Sequence, residues 1–130
     1  MGVKIDTKAY FKVLKVNGAG IYANMAELLE GELWRQSETV PRHLIVVLDK
    51  FAEVPEQLLN TLNAFAEHMA AERLSFVVTG MRSTWGGKFR EAFPGLNAVN
   101  TYEEAVDLVM MEELERELQA GEGSPEAQDT

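Results

Sequence analysis

Apolar and polar positions follow two different periods along this chain. Val3-Lys4-Ile5-Asp6 alternates, and Tyr10 to Val16 (Tyr-Phe-Lys-Val-Leu-Lys-Val) is rich in β-branched and aromatic residues, so both stretches predict strands. Asn17-Gly18-Ala19-Gly20 interrupts them as a turn. A helical period follows. Met25, Leu28, Leu29, Leu33 and Trp34 fall on one face, Asn24 and Glu27 have capping-box spacing, and the segment ends before Pro41.

His43 to Asp49 (His-Leu-Ile-Val-Val-Leu-Asp) is a continuous apolar run, which predicts a strand covered on both faces. Pro55 suits the first turn of a second helix, where its missing N–H is no loss. Leu58, Leu59, Leu62, Phe65, Ala66 and Met69 recur at helical spacing behind it, and Leu74 to Thr79 predicts another buried strand. Ser83 to Phe93 predicts a short helix with Trp85, Phe89 and Phe93 four residues apart, weakened by Gly86-Gly87. Leu96 to Val99 predicts a brief strand. Thr101 and Glu104 form a second capping box before a last helix whose apolar positions are Ala105, Val106, Val109, Met110 and Leu114. The order ββαβαβαβα predicts an α/β layer: a mixed, mostly parallel sheet of about five strands covered by about four helices.

Length and charge narrow the picture further. A chain of 130 residues holds one domain with a real core, and the absence of Cys removes disulfides, thiolate catalysis and thiolate metal sites together. No apolar run approaches the roughly 20 residues of a membrane span. The first residues carry Lys4, Lys8, Lys12 and Lys15 but no apolar signal core. The expectation is a cytoplasmic protein with no membrane insertion, its domain over residues 1–118 and a disordered acidic tail over residues 119–130. Of the net charge of −9, the stretch from Glu112 to Thr130 supplies −6, from seven acids and one base. A negative chain repels phosphate backbones, which argues against nucleic acid as a partner. The acidic end reads as a solvated helix face running into a tail.

Catalytic constellations are sparse. Ser37, Ser75, Ser83 and Ser124 include no Gly-x-Ser-x-Gly elbow. His43 and His68 are far apart. His68 and Glu72 can share a helical face, either as two metal ligands lacking a third or as a surface histidine beside an acid. The paired acids Glu103-Glu104 and Glu112-Glu113 read as solvent-facing. Gly80 to Lys88 lies where a phosphate-cradling loop would lie, but the P-loop pattern fails at Arg82, where it needs Gly, and at Phe89, where it needs Ser or Thr. Arg82 and Lys88 remain candidates to hold an anion or nucleotide, against a turn whose Trp85 packs. No metal and no cofactor is expected.

The centre of the chain resembles a known family. Leu44-Ile-Val-Val-Leu-Asp49, a helix start at Val54-Pro55-Glu56, Leu58 to Met69, and Leu74-Ser-Phe-Val-Val-Thr-Gly80 resemble the STAS domain, found in bacterial anti-sigma-factor antagonists and sulfate transporters. The resemblance covers residues 3 to 118, and its strand order is the STAS order. The stretch Val99 to Leu118 is similar to the last helix of stand-alone antagonists. It rests on a pattern of elements and one telling loop. Antagonists carry Asp-Ser-Ser/Thr-Gly at the start of the second helix, and a kinase that is also the anti-sigma factor phosphorylates the first Ser. Those positions here are Pro55, Glu56, Gln57 and Leu58, so no hydroxyl remains at the switch, and Thr61 is one turn further in.

Glu56 thus takes the phosphoacceptor-equivalent position. A carboxylate in a first helical turn gains about 0.3–1 kcal/mol from free N–H groups and the helix dipole. Two readings follow: a surface locked in something like its phosphorylated state, or an acid that merely suits any helix start. The resemblance also implies a partner surface built from Gly20, Ile21, Tyr22 and Asn24 with Val54, Pro55, Glu56, Gln57 and Asn60. Ile21 and Tyr22 either meet a partner or staple back onto Leu28 or Leu29. The implied function is non-enzymatic: regulation of transcription by binding an anti-sigma factor or serine kinase. The alternatives are a nucleotide- or lipid-sensing module and a scaffold or homodimer that self-associates through an edge strand such as Val3–Asp6.

Overall fold

The two opening strands, β1 (Val3–Thr7) and β2 (Phe11–Val16), pair antiparallel, with Ile5 opposite Leu14. They begin a five-stranded sheet that the remaining elements build by parallel addition. The computed structural model describes residues 3–16, 25–48, 56–80 and 96–122. In chain order these add α1 (Met25–Ser37), β3 (His43–Val47), α2 (Glu56–Ala71), β4 (Phe76–Thr79), β5 (Asn97–Val99) and α3 (Tyr102–Glu122). The sheet order is β1-β2-β3-β4-β5, with β2 through β5 parallel. The α/β class and the mostly parallel sheet agree with the sequence pattern. Three helices stand among the described residues rather than about four, and the helix expected over Ser83 to Phe93 lies outside them.

Period-2 geometry sorts the strand residues to two faces. Leu14, Val16, Leu44, Val46, Leu48, Phe76 and Val78 pack under α1 and α2 with Leu29, Leu33, Leu58, Leu62, Phe65 and Met69. Phe11, Val13, Ile45, Val47 and Val77 pack against Ala105 and Val109 of α3. The continuous apolar run of β3 therefore serves both layers, since its two sides are buried in two different cores.

Helix ends follow their local chemistry. Thr101 caps α3: its Oγ1 accepts the Glu104 N–H at 3.1 Å and donates to Glu104 Oε1 at 3.1 Å. At the end of α2, Leu74 N–H reaches Met69 O at 2.8 Å and Arg73 N–H reaches Ala70 O at 3.0 Å. With Arg73 at φ 59° this is a Schellman stop, built on arginine where glycine is usual. The end of α1 is closed by two cations. Lys12 Nζ donates to Gln36 O (2.9 Å), Thr39 O (2.8 Å) and Thr39 Oγ1 (2.6 Å), and Arg42 Nε donates to Ser37 O (2.7 Å).

Three expectations need correction. On α1 the buried line is Ala26, Leu29, Leu33 and Ser37, while Leu28 is 48% exposed and Trp34 41%. Leu28 is one residue from Leu29, about 100° around the helix, and the side of α1 that packs is centred on Leu29 and Leu33, which leaves Leu28 at its margin. On α3, Ala105 and Val109 face the sheet, but Met110 and Leu114 point outward. Finally, α3 does not stop at 118: it runs to Glu122 and takes in the first residues of the expected tail, because Gln119 and Ala120 continue a good helix former's run.

Candidate functional site

Parallel strands put all their carboxyl ends on one edge of the sheet, and α2 starts there, after β3 has ended. Glu56 is the first residue of α2 and is exposed. Gln57 and Asn60 are exposed beside it, while Leu58 and Leu62 of the same turns are buried against the sheet. The described part of the expected partner surface is thus a short polar patch, held rigidly by a helix whose other side belongs to the core. Thr61, the nearest hydroxyl, is half-buried inside the helix. Gly20, Ile21, Tyr22, Asn24, Val54 and Pro55 lie outside the described residues, as do Arg82 and Lys88.

The opposite edge holds chemistry that the sequence pattern misassigns. Glu112 and Glu113 were expected in solvent, yet both are half-buried and bonded. Ser75 Oγ donates to Glu112 Oε1 at 2.6 Å and accepts from Arg116 Nη2 at 2.7 Å. Arg116 Nη1 also reaches Glu113 Oε1 at 3.2 Å. The Ser75 backbone N–H donates to His43 Nδ1 at 3.0 Å, so Nδ1 carries no proton and Nε2 is the ring donor. That Nε2–H points at Glu113 Oε1, 3.0 Å away. Both ring nitrogens of His43 and both roles of the Ser75 hydroxyl are taken. The cluster joins α3 to the starts of β3 and β4 and engages the His43 ring and the Ser75 hydroxyl in structural bonds.

His68 and Glu72 do not act as a pair. His68 lies against Trp34 in a tilted contact with ring centroids 4.2 Å apart, and Glu72 meets Arg42 at 3.5 Å. No group of three or more metal-ligating side chains converges among the described residues. A groove of about 370 Å³ lies beside the cluster, with Tyr10, Pro41 and Leu74 in its wall and His43 and Glu113 at its polar end. It sits at the far edge of the sheet from Glu56. No helix among the described residues is long and apolar enough to cross a membrane.

The sequence matches no family model and no curated protein. Solved structures do match the fold. A serine-to-glutamate variant of RsbS from Moorella thermoacetica is 16% identical with a TM-score of 0.71, covering 88% of this chain and 97% of its own. A component of the stressosome, a signal integration and transduction hub, is 14% identical with a TM-score of 0.66, covering 82% of this chain and 96% of its own. A proposed anti-sigma factor antagonist from Thermotoga maritima is 10% identical with a TM-score of 0.68, covering 83% and 94%. These matches, each spanning most of both chains, show that this chain has the fold of the STAS domain.

Proposed function

We propose that this chain is a non-enzymatic regulatory domain that binds another protein in the manner of anti-sigma-factor antagonists, with Glu56 where those proteins carry a phosphorylatable serine. The observation that carries the reading is the position of Glu56: first residue of α2, exposed, on the edge where β3 and β4 end. The shared fold supports the general kind, since its solved neighbours include RsbS and a proposed antagonist. Glu56 supplies one permanent negative charge in the field of the α2 terminus, against nearly two for a phosphoserine. The partner in this reading is an anti-sigma factor with serine-kinase activity, and Glu56 holds the surface in its phosphorylated-like state.

Loss of phosphorylation control is tested by mass. The full chain and its Glu56→Ser variant are incubated with ATP and an extract of the native host, then digested and weighed. The wild type is expected to take no phosphate within residues 50–62, and the serine variant to take one. Phosphate on Thr61 of the wild type would sink the proposal.

Self-association as a scaffold is a second reading, favoured by β1 lying at the edge of the sheet. The exposed Lys4, second residue of that strand, works against edge pairing, which keeps the reading second.

A further inference from the structure

Helix α3 is apolar on two sides. At about 3.6 residues per turn, Ala105 and Val109 mark the sheet-facing side, and Met110, Met111, Leu114 and Leu118 fall within an arc of about 100° opposite them. Their exposures are 38%, 59%, 55% and 58%, so four long apolar side chains stand in water in one continuous stripe. The His43, Ser75, Glu112, Glu113 and Arg116 cluster fixes the rotation of this half of the helix, so the stripe cannot roll inward. Scattered exposed apolar residues need no explanation, but a contiguous row rimmed by charge marks an interaction surface.

The rim decides the occupant. Exposed Glu115 and Glu117 border the stripe on its two sides, and exposed Glu103 and Asp107 lie on the same outward face one to two turns before it. An anionic membrane surface is repelled by that border. A second copy brings the same acids against it, and the Glu112 to Thr130 stretch alone carries −6. A partner with cations at its own borders meets no such opposition. We propose that the outward face of α3 receives an amphipathic helix of a partner protein whose apolar stripe is bordered by Lys or Arg, packed along Met111, Leu114 and Leu118 in the manner of a short coiled-coil seam. This surface lies on the opposite face of the sheet from α1 and α2, and the inference is independent of the role given to Glu56.

The test uses the full chain and a labelled helical peptide with a leucine stripe bordered by lysines, beside the same peptide with glutamates for lysines. Fluorescence anisotropy is expected to show saturable binding of the lysine peptide, weakening as salt rises, and none of the glutamate peptide. The double variant Leu114→Gln, Leu118→Gln keeps charge and helix propensity. It is expected to lose about tenfold or more in affinity while keeping the wild-type melting temperature. Equal binding by the double variant would overturn the proposal, because the attraction would then be charge alone. A melting temperature several degrees lower would overturn it by placing the stripe in contact within the molecule. A wild-type dimer in sedimentation that the double variant dissolves would assign the stripe to a second copy, which also overturns it.

Discussion

Lys12 lies in a mostly apolar strand and is only 3% exposed, whereas Lys15 of the same strand is exposed. Its stem runs along the α1–α2 face of the sheet, and its ammonium ends among the Gln36 and Thr39 oxygens that close α1. Burial holds its pKa below the usual 10.5. The unfolded chain then binds more protons between the lowered pKa and 10.5, so the Lys12 contribution to stability rises with pH through that window. Replacing Lys12 by Met keeps the stem and strands the acceptors, and is expected to cost about 1–3 kcal/mol in urea unfolding at neutral pH. The gap between wild type and Lys12→Met should widen as pH climbs toward 10.5. A gap that narrows would contradict this account of Lys12. Nothing in a Lys at an alternating strand position distinguishes a helix cap from a solvated charge, because the carbonyls it meets are 24 and 27 residues away.

Among the elements, the strands were the most legible and α3 the least. Leu44 to Val47 is apolar at every position because helices cover both sides, and Phe76 to Thr79 is enclosed in the same way. The Thr101…Glu104 spacing became a real cap, with one arm of the box formed: Thr101 Oγ1 accepts the Glu104 N–H, while the Glu104 carboxylate takes the Thr101 hydroxyl instead of its backbone N–H. Met110 and Leu114 were misplaced because apolar residues on both sides of α3 make its period ambiguous, and only the sheet decides which side is inside. Glu112 and Glu113 were misread for a related reason: their partners Ser75 and His43 are 37 and 70 positions distant. This anchoring gives a prediction. Arg116→Met breaks a half-buried network and is expected to destabilise by about 1–3 kcal/mol. Arg35→Met removes an exposed i,i+3 pair with Glu32 and should cost well under about 1 kcal/mol. Amide exchange in α3 should rise in Arg116→Met alone. Equal effects from both variants would show that the cluster does not anchor the helix.

At the scale of the molecule, the two edges of the sheet have different contents. The amino-terminal edge of the parallel strands carries a hydrogen-bonded polar cluster that ties α3 down. The carboxyl edge carries the start of α2, where Glu56, Gln57 and Asn60 are exposed with no structural task among the described residues. The sequence pattern placed Glu56 correctly at a helix start because Pro55 and the Leu58/Leu62 spacing mark it. In the proposed reading, what meets Glu56 belongs to a partner protein, which the sequence of this chain does not encode. The most direct measurement is capture from an extract of the native host by the wild-type chain beside Glu56→Ser, with captured proteins identified by mass. The serine variant is expected to retain more of an ATPase-type anti-sigma kinase than the wild type, whose Glu56 weakens that contact without abolishing it. Capture of that kinase by both chains alike, or by neither, would contradict it.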